Sequence, residues 1–171
     1  GYDLRLARTP EVGEVWDAAR GAGLAGRSEV VFTGLGEPTR RLAAVLDLTR
    51  RLRGAGVARV RLDTDGLASL REGRDVVPEL AEAGLAALSV SLNAPDAATY
   101  ARLCPSRFGE AAWDACRAFI RSAVAANLEV SASAVAVPGL SEAGCRAAAE
   151  ALGARFRWRP YDRLGRIATS T

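Results

Sequence analysis

The stretch "LAALSVSLNA", residues 85–94, alternates apolar and polar side chains with the two-residue period of an extended strand. Leu88, Val90 and Leu92 fall on one side, and Ser89, Ser91 and Asn93 on the other. "ARVRLDTDG" repeats the split, with Val60 and Leu62 opposed to Arg61, Asp63 and Asp65, and "RFRWRP" sets Phe156 and Trp158 against Arg157 and Arg159. "LEVSASAV" brings Ser131 and Ser133 together. Parallel strands covered by helices are ordinarily apolar on both faces. Here one face is small, polar and charged. A closed barrel filled with aliphatic side chains cannot accept such a face, because each unpaired charge inside it would cost several kcal/mol. The polar face therefore lines an open, incomplete barrel around a polar ligand, or it is an uncovered sheet face that meets water.

Between these strands the spacing becomes helical. Thr9, Pro10 and Glu11 read as a helix start, with Thr9 as N-cap and Pro10 at the first helical position, followed by Val12, Val15, Trp16 and Ala19 on one face. Val30, Val31 and Phe32 form a strand at about residues 29–33. Leu42, Val45, Leu46, Thr49 and Leu52 mark a helix that Gly54 and Gly56 stop. A strand at "ARVRLD" follows, then a helix near "DVVPELAEAG" and the strand at "LAALSVSLN". The next helix runs through Trp113, Cys116, Ile120 and Val124 into a strand at "LEVSASAVAV"; Ser141 then caps a last helix before "RFRWRPY". Alternation of this kind predicts an α/β fold of parallel strands with outer helices, and residues 1–171 read as a single domain.

Composition narrows the function. All 23 basic residues are Arg, there is no His, and no basic block is present, so the chain carries no nucleic-acid signature. Without His, a serine or cysteine triad and a His-zinc site are excluded. No apolar run reaches the length of a membrane span, and "GYDLRLARTPE" is too polar for a signal peptide, so the expected location is cytoplasmic and no membrane partner is expected. Lys is absent as well, and so is a Gly-X4-Gly-Lys motif, which ranks an aldolase or phosphate-loop enzyme lowest.

Four motifs stand at successive strand ends: "GLGEPT", "RLDTDG", "SVSLNA" and "VAVPGLSE". In this order they resemble the core of a radical S-adenosylmethionine (SAM) enzyme. "GRDVVPELAEAGL", "SVSLNAPDAATYARLC" and "FRWRPYD" look closer still to the TatD-linked radical SAM proteins. The resemblance covers nearly the whole chain and implies a partial (β/α)6 TIM-like barrel with SAM and an iron–sulfur cluster at the C-terminal mouth of its strands. Leu35, Gly36 and Glu37 then occupy the place of the family's Gly-Gly-Glu motif, which receives the methionyl ammonium group of SAM, although Leu35 departs from its first Gly. Gly34 and Gly36 would permit backbone geometry that a side chain blocks, and Glu37 would add a charge-assisted hydrogen bond. Equally, Gly36 could serve the turn while Glu37 caps the following helix.

The resemblance also implies that Thr64 and Asp65 stand at a Thr-Asn-Gly motif, with Asp for Asn, and that Ser91 and Asn93 touch the SAM carboxylate or ribose. Val135, Val137 and Gly139 fall where the family packs adenine; ordinary strand packing is the other role open to the valines. Arg61, Arg157 and Arg159 are candidate substrate-binding residues. Arg157 and Arg159 could hold a substrate anion, or could pair with Asp63 or Asp65.

The family holds a [4Fe–4S] cluster through a Cys-X3-Cys-X2-Cys loop. Cys104, Cys116 and Cys145 lack that spacing, and Cys116 and Cys145 lie on apolar helix stripes, which predicts core positions. Two expectations follow. Either the chain begins just beyond the cluster loop and first strand, which the absence of Met favours, or it is a cluster-less barrel that binds a small molecule or protein without catalysis. On the first, the full-length protein cleaves SAM reductively, uses an electron donor such as flavodoxin or ferredoxin, and acts on a small-molecule or peptide substrate; the chain alone would be inactive.

Overall fold

The computed structural model describes residues 8–24, 27–34 and 36–161. The elements follow in order: α1 (Val12–Gly21), β1 (Val30–Phe32), a 3-10 turn (Pro38–Arg41), α2 (Leu42–Gly54), β2 (Val60–Thr64), α3 (Ala68–Glu72), α4 (Val77–Glu82), β3 (Ala87–Ser91), α5 (Ala97–Leu103), α6 (Ala111–Ala125), β4 (Glu129–Val135), α7 (Glu142–Glu150) and β5 (Arg155–Arg159). The five strands form one parallel sheet in the order β1-β2-β3-β4-β5. Each new strand lies beside the last. With right-handed crossovers, an order that never reverses puts every connecting helix on the same side of the sheet and leaves the other side to curve inward. This is the partial, TIM-like barrel of parallel strands and outer helices that the sequence predicts.

The helical side holds the core. Leu62, Leu88 and Val130 are register partners across β2, β3 and β4, and Val90 pairs with Ala132 one row further on; all of them are buried. Against them lie Val45, Leu46 and Leu52 of α2, Leu80 of α4, and Cys116, Phe119 and Ile120 of α6. The 3.6-residue spacing of α2 and α6 brings these side chains onto one stripe, so each helix buries one face and leaves the other polar. Cys116 and Cys145 are both fully buried, as their stripes predicted. Removing a Leu side chain from such a site costs roughly 2–5 kcal/mol.

The polar side carries its charges in pairs at the base. Arg59 Nε lies 2.9 Å from Glu29 Oε1, Arg59 Nη2 lies 2.6 Å from Glu129 Oε2, and Arg61 Nε lies 3.2 Å from Glu29 Oε2. Arg61 also pairs with Asp63, and Arg155 with Glu129. Reciprocal pairing is why strands can turn arginines toward one another.

Three local expectations are corrected. The first helix starts later than Thr9-Pro10: Glu11 is its N-cap, and Glu14 accepts the Glu11 N–H at 2.8 Å, which anchors the first turn without Thr9. Gly34 and Gly36 do not adopt positive φ, and a Cβ on Gly36 would meet nothing within 4 Å, so the backbone does not require glycine there. Asn93, grouped by alternation with Ser89 and Ser91, lies past the end of β3 in the left-handed region at φ 58°, and parity no longer governs its side chain. No helix among the described residues is long and apolar enough to cross a membrane.

Candidate functional site

At the C-terminal ends of the strands, Glu37 organises one wall of a crevice. Its Oε1 accepts from Thr39 N at 3.0 Å, Thr39 Oγ1 at 2.6 Å and Thr64 Oγ1 at 2.8 Å, while Oε2 accepts the Asp65 N–H at 2.7 Å. The Thr39 N–H bond makes Glu37 the N-cap of the 3-10 turn, so the capping role open in the sequence is realised. The side chain is only 13% exposed, and Oε2, with a single donor, keeps acceptor capacity toward the crevice.

Arg71 locks the same wall. Its guanidinium forks onto Asp65, Nη1 to Oδ2 at 2.8 Å and Nη2 to Oδ1 at 2.9 Å, and Nη2 also reaches Thr39 Oγ1 at 2.7 Å. Burial works to lower the Arg71 pKa, but the bonds to Asp65 and the charges of Asp65, Glu37 and Glu72 outweigh it and raise the value overall. Asp65 Oδ1 further accepts the Leu67 N–H at 2.9 Å, so its carboxylate is engaged within the protein. Thr64 Oγ1 accepts the Gly66 N–H at 3.1 Å. Gly66 is the glycine this turn requires: its φ is +74°, and a Cβ would lie 2.8 Å from Val90 Cγ1.

The floor of the crevice follows from strand register. Ser91, Ser133 and Arg157 are partners across β3, β4 and β5, and Asp63, Ser89, Ser131 and Arg155 form the row below. Short serine side chains keep the floor low between the Glu37 wall and the arginines of β5. The result is a cavity of about 300 Å³ lined by Gly34, Gly36, Glu37, Thr64, Ser91 and Arg159, among others.

Among the sequence candidates, Gly36, Glu37, Thr64, Asp65, Ser91, Arg157 and Arg159 share this cavity. Arg61 does not; it faces the base, bound to Glu29 and Asp63. Asn93, Val135 and Val137 line a neighbouring cavity of about 220 Å³ with Leu103 and Cys104. There Asn93 Nδ2 donates to Cys104 Sγ at 3.5 Å, while Asn93 Oδ1 is buried without a hydrogen-bond partner among the described residues. Burial raises the Cys104 thiol pKa, with the Asn93 contact opposing it. Gly139 lines neither cavity; Val137 and Leu140 close a turn through a 3.1 Å backbone bond, with Pro138 second and Gly139, at φ +82°, third, as a type II turn demands. Leu35 lies outside the described residues.

Sequence reasoning missed Arg71 and Thr39. Arg71 belongs to α3, five residues long and too short for a helical period to register, yet its place six residues after Asp65 is a usable signal. No set of three His, Cys, Asp or Glu side chains among the described residues could hold a metal, and burial lifts the Cys116 thiol to about 12. Cys104, Cys116 and Cys145 thus do not fit a [4Fe–4S] cluster.

No family model matches the chain, and no curated protein matches it either. Among solved structures, a radical SAM methyltransferase from Sphaerobacter thermophilus matches 92% of this chain at 20% identity with a TM-score of 0.51. The chain spans 60% of that structure's length. At this identity the likeness establishes the fold.

Proposed function

We propose that the crevice at the strand ends is an S-adenosylmethionine site and that the chain is the core of a radical SAM enzyme, of the TatD-linked kind its sequence phrases resemble. The observation that carries this reading is the wall around Glu37. It offers a carboxylate oxygen with spare acceptor capacity, and beside it Gly36, where a side chain would stand in open space bordering the cavity. Glu37 Oε2 would receive the ammonium group, and Ser91 would hydrogen-bond the amino-acid or ribose end. Val135 and Val137 would hold the purine, and Asn93 Oδ1 would accept from its exocyclic amine.

Together with a reduced [4Fe–4S] cluster, SAM would be the source of a 5′-deoxyadenosyl radical for hydrogen abstraction from a substrate. Ligands for that cluster would have to come from outside the described residues, and a flavodoxin or ferredoxin would supply the electron. The part assigned to this chain is to bind SAM, orient it by the Glu37 wall and keep water from its reactive end.

Gly36→Val tests the reading directly. Because the backbone at Gly36 is not left-handed and the position is open, the variant should fold with an unchanged melting temperature while losing saturable SAM binding in calorimetry. Wild-type protein that ignores SAM, or a variant that binds it equally well, would refute the assignment.

A further inference from the structure

The charges of the crevice do not balance. Arg71 is committed to Asp65, Arg61 to Glu29 and Asp63, and Arg155 to Glu129. These pairings use Asp63 and Asp65, the acids that Arg157 and Arg159 would otherwise need. Among the described residues neither Arg157 nor Arg159 has an ion-pair partner, and Arg159 Nε is buried without any acceptor. The two lie two residues apart on β5 and so share one face, about 7 Å from each other along the strand. Burial lowers the Arg159 pKa, the neighbouring Arg157 lowers it further, and Asp63 only opposes them from a distance. Two like charges held together, one with an orphaned N–H, are a standing destabilisation unless something negative arrives.

The geometry of the floor says what would fit. Arg157 shares a row with Ser133 and Ser91, and all three line the cavity, so hydroxyl donors and a guanidinium border the same space. Planar guanidinium forks with adjacent hydroxyls match the oxygens of a carboxylate or phosphate. The acidic wall at Glu37 lies just past the ends of β1 and β2, at the other side of the same cavity. An ammonium group and an oxyanion could therefore be held at once without competing for partners.

We propose that Arg157 and Arg159, with Ser133, form an oxyanion receptor for a second molecule that shares the cavity, so that the substrate class is an anionic small molecule bearing a carboxylate or phosphate. This rests on the reading of the Glu37 side as the SAM site. It assigns the unpaired arginines to substrate and not to the SAM carboxylate.

The test uses pyrophosphate and malonate as probes, titrated calorimetrically into the chain at low salt, with SAM titrated separately. Saturable binding of at least one probe is expected, weakened about tenfold or more in Arg157→Gln and Arg159→Gln. Arg155→Gln, which removes the same charge from the same strand at the base, should bind the probe like wild type. Arg159→Gln should keep its SAM affinity and melt no earlier than wild type, because it removes an unpartnered, partly buried charge; Arg157→Gln supplies the same test should Arg159→Gln misfold. Equal weakening in Arg155→Gln would reduce the effect to net charge and overturn the receptor. So would a parallel loss of SAM binding in Arg159→Gln, which would hand the arginines to the SAM carboxylate, or the absence of saturable binding by either probe. Arginine-dependent probe binding in a protein that ignores SAM would leave the receptor standing and remove the cofactor reading alone.

Discussion

The base and the mouth of the sheet are made from the same strands and the same alternation, yet they treat charge differently. At the base, Glu29, Glu129 and Asp63 are shared among Arg59, Arg61 and Arg155, and each of these groups has an ionic partner. At the mouth, Glu37, Asp65 and Arg71 close into one network on the β1–β2 side, while Arg157 and Arg159 on the β5 side stay without ionic partners among the described residues. A satisfied cluster holds strands together and asks for nothing. An unsatisfied one holds a position for something else, at a cost to the fold. The difference separates what the polar face does for the sheet from what it does for a ligand.

The contrast can be broken most severely at the turn that builds the mouth. Gly66→Ala must place a Cβ 2.8 Å from Val90 Cγ1 at a positive φ, so a loss of about 3 kcal/mol is expected in urea unfolding. An unchanged midpoint would mean the Asp65–Leu67 turn is not the rigid frame described here. Next comes Arg71→Gln. It strands the Asp65 carboxylate, whose side chain is 37% exposed and so partly rescued by water, and the expected cost is about 2 kcal/mol with weakened SAM binding. Loss of binding without loss of stability would place Arg71 among ligand contacts instead of supports.

The smallest effect belongs to the base. The Glu29 pKa is lowered: burial works to raise it, and the bonds and charges of Arg59 and Arg61 outweigh that. A depressed folded value means the stabilisation is present above the ordinary glutamate pKa and is lost as pH falls through the folded one. Glu29→Gln should therefore cost about 0.5–1 kcal/mol at neutral pH and flatten the acid limb of a stability profile, leaving SAM binding intact. A change in SAM binding would erase the division between base and mouth.

Much of the architecture was legible because period is a strong physical constraint. Val60 and Leu62 against Arg61 and Asp63, or Ser131 with Ser133, are fixed by the pleat once a strand exists; burial followed that parity in β2, while in β4 Ser133 is buried like its apolar neighbours. The convergence of Glu37, Thr64 and Ser91 was legible only through motif order, since nothing local says that residues so far apart in the chain meet. What could not be read was the hydrogen bonding that decides which polar atoms remain free. Glu37 reads as an ammonium receptor or a helix cap, yet three donors from two residues converge on one of its oxygens and leave the other with one. Asn93 looks like the next beat of an alternation that has already ended, because Ser91 is the last residue of β3.

The winding order of the sheet divides labour along the polypeptide. The acidic wall is encoded before β3 and the basic wall after it, with β3 as the common floor. A recombination event within β3 could trade the later half, with Arg157 and Arg159, for that of a cousin without disturbing the half that carries the Glu37 network.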